Sequence, residues 1–280
     1  MARTQADPPL GQRNLILGLL LGAAAAAWAL LAWHGAGEAH MGVASPTMGM
    51  RASMFLAVWV LMMVAMMFPT AAPMILTFHR VQAGRRRRGE AFVATWVFVA
   101  AYLLVWSLSG VVAYGGALAA ETAAARASLS PASVARIGGG ALVAAGLYQL
   151  TPLKDLCLSK CRTPLGFIMT SWRDGAAGAL RMGLLHGTYC LGCCWLLFVV
   201  LFPLGIMNLA AMAVVTLVIF AEKTVPWARP ATTATAAALV AYGIAVLALP
   251  QLLPTFMEDG GTAMAAPAAP MAMQGPVTLR

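Results

Sequence analysis

The chain has 280 residues, 61% of them hydrophobic and only 10% charged, and its mean hydropathy is +0.81. Soluble domains carry about 25% charged residues, so the polar material for a water-facing coat is missing and a soluble globular enzyme is excluded. The net charge of +9 would suggest nucleic acid in a soluble protein; here the basic residues flank apolar blocks, where they set orientation, and no nucleic-acid partner is expected.

Seven apolar segments follow one another, at about 14–33, 54–76, 91–118, 133–152, 180–203, 206–222 and 232–250, each near the roughly 20 residues a spanning helix needs. Alternating strand patterns are absent, so the expected fold is all-α, a polytopic transmembrane helical bundle. Residues 1–253 form one helical domain, and 254–280 form a Met/Ala/Pro-rich disordered tail outside the cytoplasm. Connectors expected on one side carry 14 of the 18 Lys and Arg residues. That side is the cytoplasm, which puts the amino terminus inside and the carboxyl terminus outside. The first segment is long for a signal peptide and reads as a retained helix. The lipid bilayer of a bacterial inner membrane is the expected surrounding.

The first external loop holds His34, Glu38, His40, Met41, Met48 and Met50, spaced too loosely for a preformed site. The second segment reads Met62-Met63-Val-Ala-Met66-Met67-Phe-Pro69-Thr-Ala-Ala-Pro73-Met74. Its first four methionines form two pairs at i and i+4, sharing one broad face. Core filler competes with soft-metal binding as their reading. Pro69 and Pro73 free backbone carbonyls and bend the helix. Arg85 to Arg88 read as a topology anchor. Gly138 to Gly140, Ala144 and Gly146 in the fourth segment predict close helix packing.

Cys157 and Cys161 lie at the cytoplasmic exit of the fourth segment, beside Lys154, Lys160 and Arg162, which should favour thiolate. In the fifth, Met182, His186, Cys190 and Cys193 fall within about 80° of arc, with Cys194 at its edge. Imidazole, thiolate and thioether together suit a soft ion such as Cu(I), and an intramembrane ionisable group is a functional suspect by default. The sixth segment offers Asn208, Met212 and Glu222 as a candidate polar path, or an interfacial Glu222–Lys223 pair.

These blocks resemble a prokaryotic family of predicted metal-binding integral membrane proteins, a domain of unknown function. The resemblance rests on the Met62 to Pro73 block, Gly146-x-Tyr148-Gln149-x-x-Pro152-x-Lys154-x-x-Cys157-x-x-x-Cys161-Arg162-x-Pro164, Cys190-x-Gly192-Cys193-Cys194-Trp195, Gly205-x-Met207-Asn208 and Glu222-Lys223. It covers roughly Phe55 to Pro226 and implies metal binding while leaving the activity open.

The expectation is a protein that binds and moves or delivers a soft ion, Cu(I) first among them, across the membrane; no catalytic residue is expected, and enzymatic activity is left open. Met62, Met63, Met66 and Met67 would pass the ion to His186, Cys190, Cys193 and Cys194, and Cys157 and Cys161 would receive it inside. A metallochaperone or a metalloenzyme subunit is the expected partner. No Gly-x-x-x-x-Gly-Lys loop is present, so the chain alone is no primary pump. The alternatives are a membrane thiol-disulfide oxidoreductase, using Cys190-x-x-Cys193, and an assembly subunit of a membrane metalloenzyme.

Overall fold

A computed structural model describes residues 10–38, 46–47, 49–226 and 228–255. The elements follow in chain order as α1 (Leu10–Glu38), α2 (Ala52–Arg87), α3 (Thr95–Arg126), α4 (Pro131–Tyr148), α5 (Pro152–Arg162), α6 (Pro164–Ser171) and α7 (Gly175–Val199). A short α8 (Leu201–Leu204), α9 (Leu209–Thr224), α10 (Ala228–Ala248) and a 3₁₀ turn at Pro250–Leu252 complete them. No strand occurs among the described residues, in keeping with the all-α expectation. The Met-rich tail from 256 onward, and His40, Met41 and Met48 of the first loop, lie outside the described residues.

Five helical stretches are long and apolar enough to cross a bilayer: Gly11–His34, Ala52–Arg87, Thr95–Arg126, Gly175–Leu204 and Arg229–Ala248. Seven were expected. The fourth and sixth segments become α4 and α9, which local chemistry cuts short. Thr151 caps α5 by accepting from the Lys154 amide at 3.3 Å, and Pro152 opens it, so the chain turns at 149–151 instead of continuing α4. Gly205, at φ +91°, makes the turn before α9, and Asn208 caps that helix by accepting from the Ala211 amide at 3.1 Å.

Proline shapes α2 differently. Pro69 has no N–H for the Ala65 carbonyl four residues back. The Trp28 indole of α1 donates to that carbonyl at 3.2 Å, so the freed acceptor becomes a tie between helices and not a cavity wall. Small residues set the other close contacts. A Cβ at Gly139 would stand 3.0 Å from the Gly243 carbonyl oxygen, and one at Gly146 would stand 2.9 Å from that of Ala236. The packing expected of α4 is therefore packing against α10. On α7, a Cβ at Gly183 would come within 2.5 Å of the Phe98 carbonyl oxygen, and one at Gly187 within 2.9 Å of Val105. These glycines seat α7 on α3, and α5 packs on another side of α7.

Candidate metal centre

One turn after another, α7 directs Met182, His186, Cys190, Cys193 and Cys194 into the protein, where each is buried. Cys194, expected at the edge of the stripe, is 1% exposed. Cys190 stands at the middle of the group. Its sulfur accepts a hydrogen bond from the Lys223 ammonium at 3.1 Å, and the Tyr102 hydroxyl lies 3.2 Å away. The thiols of Cys193 and Cys194 both donate to the Cys190 backbone carbonyl, at 3.1 and 2.8 Å. The same Lys223 ammonium donates to the Thr70 hydroxyl at 3.3 Å, and that hydroxyl lies 3.9 Å from the Met67 sulfur. A polar thread thus runs from the thiols of α7, through α9, to the methionine block of α2.

The two cysteines of α5 join this group. A Cβ at Gly192 would stand 2.8 Å from the Cys157 sulfur, so the bare glycine makes room for it on α7. Cys161, partly buried, packs against the same core. The spacing had separated Cys157 and Cys161 as a receiving pair at the cytoplasmic exit; α5 instead lies along the middle of α7, and the five thiols form one neighbourhood. Nor do the flanking cations favour thiolate there. Burial, then the neighbouring Cys193, pushes the Cys157 thiol up; hydrogen bonding with Cys190 and Cys193, then burial, pushes up Cys161. The nearest lysine is engaged elsewhere: the Lys154 ammonium, fully buried, meets the Glu222 carboxylate at 2.7 Å. All five thiols are free.

His186 lies among Phe98, Tyr102 and Phe167, with ring centroids 5.5–5.8 Å apart. Its Nδ1 is buried and has no hydrogen-bond partner. Such an atom costs roughly 1–3 kcal/mol when left unpaired, which is the situation a metal ligand would relieve. Met62, Met63, Met66 and Met67 are all fully buried in the core that also contains Cys190, Cys193 and Cys194. Met212 is buried there too.

Among the described residues, no group of three or more Cys, His, Asp or Glu side chains is preassembled around a point where an ion would sit. The donors are adjacent, and two of the thiols are turned toward a backbone carbonyl. The expected Glu222–Lys223 pair is absent as such, because neighbouring residues on a helix point about 100° apart. Glu222 turns to Lys154, and Lys223 turns to Cys190 and Thr70. Asn208 spends both ends of its amide on the start of α9, accepting from Ala211 and donating to the Leu204 carbonyl at 3.2 Å. The Tyr102 and Thr70 contributions carried no signal in the sequence. Those of Lys154 and Lys223 were visible as charges beside long apolar runs.

The described residues form a helical bundle whose core gathers thiols and a methionine block near a buried ammonium. Residues 56–246 match the model of a family described as PpoB2, copper chaperone, and the chain belongs to that copper chaperone family. No curated protein and no solved structure matches it. The family supplies the copper part of the resemblance seen in the motifs.

Proposed function

We propose that the protein is a membrane-embedded Cu(I) chaperone that takes its cargo at the thiol group on α7 and hands it on to an acceptor protein. The observation that carries this reading is the Cys190 sulfur, buried and facing the Lys223 ammonium at 3.1 Å, with the Cys193 and Cys194 thiols on the same turn donating to its backbone carbonyl. Lys154 and Lys223 are two buried cations, and Glu222, bonded to Lys154, is the buried carboxylate beside them. A second negative charge is needed to offset Lys223, because an uncompensated buried charge is expensive. The Cys190 thiolate supplies it at the place where Cu(I) would bind.

Thiolates are strong ligands for Cu(I), thioethers weaker and exchangeable ones. Cys190 with Cys193, Cys194 or Cys161 would hold the ion, and His186 would add its unpaired nitrogen. Met62, Met63, Met66 and Met67 would offer an onward step of lower affinity. Cys157 would join when α5 shifts on α7. Lipid is the proposed surrounding of the five long apolar helices, with the arginine-rich end of α2 in the cytoplasm. Exposed Leu108, Val112, Ile137, Leu156, Met169 and Leu217 support a lipid-facing exterior.

The test is metal analysis of protein purified under reducing conditions and loaded with Cu(I), beside a Cys190→Ser/Cys193→Ser double variant. The wild type is expected to retain copper through desalting and to transfer it to a copper-free acceptor, and the variant to do neither. A wild type without copper, or a variant that binds as well, overturns the reading.

A further inference from the structure

Away from the thiols, a cavity of about 630 Å³ opens between α1, α2 and α3. Its chemistry changes along one direction in all three helices at once. One end is polar: Gln12 begins α1, Arg86 and Arg87 end α2 with His79 and Gln82 just before them, and Thr95 begins α3. The other end is apolar: Leu19 and Leu20 lie two turns further along α1, Ile75 lies three turns back in α2, and Val99 lies one turn into α3. Leu20, Ile75 and Val99 are buried, so the cavity reaches the core. No carboxylate stands among its lining residues within the described chain.

The polar end is set up to meet an anion. The His79 Nδ1 pairs with the Thr95 hydroxyl at 3.2 Å, while its Nε2 is buried without a partner. With the Thr95 hydroxyl donating, Nε2 carries the proton and offers a donor. The Gln82 side chain is held by the Val93 amide at 3.0 Å, and the Arg86 guanidinium lies 4.9 Å above the Phe92 ring at the same rim. Trp96, which also lines the cavity and is exposed, is the residue type that collects at a membrane–water boundary.

We infer that this cavity binds an anionic phospholipid, its phosphate held by Arg86, Arg87 and His79 and an acyl chain lying along Leu19, Leu20, Ile75 and Val99. Charge complementarity selects the headgroup, since basic pockets between membrane helices take anionic lipids on the cytoplasmic side. The apolar half selects an amphiphile over a free anion. The inference rests on the membrane setting proposed above and is independent of the copper chemistry.

The experiment titrates delipidated full-length protein in detergent with dioleoyl phosphatidylglycerol or dioleoyl phosphatidylcholine, and reads bound lipid by native mass spectrometry. Phosphatidylglycerol is expected to bind at least tenfold more tightly, and excess inorganic phosphate is expected not to compete. Arg86→Gln/Arg87→Gln should weaken it by roughly 30-fold, at about one tenfold step or less per cation. Leu19→Trp, which keeps every charge and fills the apolar half, should weaken it as well. Copper content of both variants should match the wild type. Equal affinity for the two lipids, full competition by phosphate, or an unchanged double variant each overturns the inference; the first two need no substitution. Alkaline carbonate extraction of cell membranes reads the membrane setting separately: a protein released into solution would fail that reading, whatever the lipid titration shows.

Discussion

At the scale of single residues, the sites that matter are polar atoms held where water is absent. His186 illustrates this most directly. Its ring is packed like an aromatic core residue, and its Nδ1 has no partner. His186→Phe keeps the stacking and removes the unpaired nitrogen, so the fold should be equally or more stable, by up to roughly 1–3 kcal/mol. If the nitrogen is a ligand, Cu(I) affinity should fall at least tenfold in the same variant. Thermal unfolding and competition with a colorimetric Cu(I) chelator check the two halves. A variant that loses stability and keeps its affinity would make His186 an ordinary core residue. The stripe on α7 was legible in the sequence because helical spacing alone puts those residues on one face. Lys223 was visible only as a charge beside an apolar run: it lies 33 residues from Cys190 along the chain, and only the packing of α9 brings its ammonium to that sulfur.

At the scale of elements, α5 is held to the bundle through its charged side chains. It is short, bounded by the turn at 149–151 and by Thr163, and fixed through side chains at its two ends. The Lys154–Glu222 pair ties its start to α9, and the Arg162 guanidinium donates to the carbonyls of Glu222, Val225 and Pro226 at 2.8–3.3 Å. Lys154→Met strands the Glu222 carboxylate in the core and should destabilise the protein by roughly 3–5 kcal/mol. Lys154→Met/Glu222→Met removes both charges and should recover most of that loss, because a buried pair is about as good as an apolar replacement. Thermal midpoints of the wild type and both variants, in the same detergent, measure this. A double variant as unstable as the single one would show that the pair does more than neutralise itself. Thr151, Pro152 and Pro164 announce the ends of α5 and α6 in the sequence. That α5 lies along the middle of α7 was not announced, since it depends on the missing side chain at Gly192.

At the scale of the whole molecule, the question is which surface faces lipid. The five long apolar helices, together with exposed Val112, Ile137 and Leu217, predict that the protein stays in the pellet after alkaline carbonate treatment. The basic flanks predict that single cysteines introduced at Gly89 and at Ser128, in a background with its native cysteines replaced, are labelled from opposite sides of the membrane by an impermeant maleimide. Labelling of both from one side would sink the orientation. Gly89 follows the arginine run after α2, and Ser128 follows α3, so one helix length separates them.

Composition and the length of the apolar runs by themselves determined the all-helical class, because long apolar runs without a two-residue alternation suit helices and not strands. Local spacing also determined which residues share a face on α2 and α7. Tertiary structure decided everything that joins one helix to another: the gathering of the thiols of α5 and α7 instead of a separate pair and triplet, the division of Glu222 and Lys223 between different partners, and the indole that satisfies the carbonyl freed by Pro69. Periodicity describes how side chains leave one helix axis. Which neighbour they meet depends on where chains pack closely enough to exclude a Cβ, and that is a property of pairs of helices.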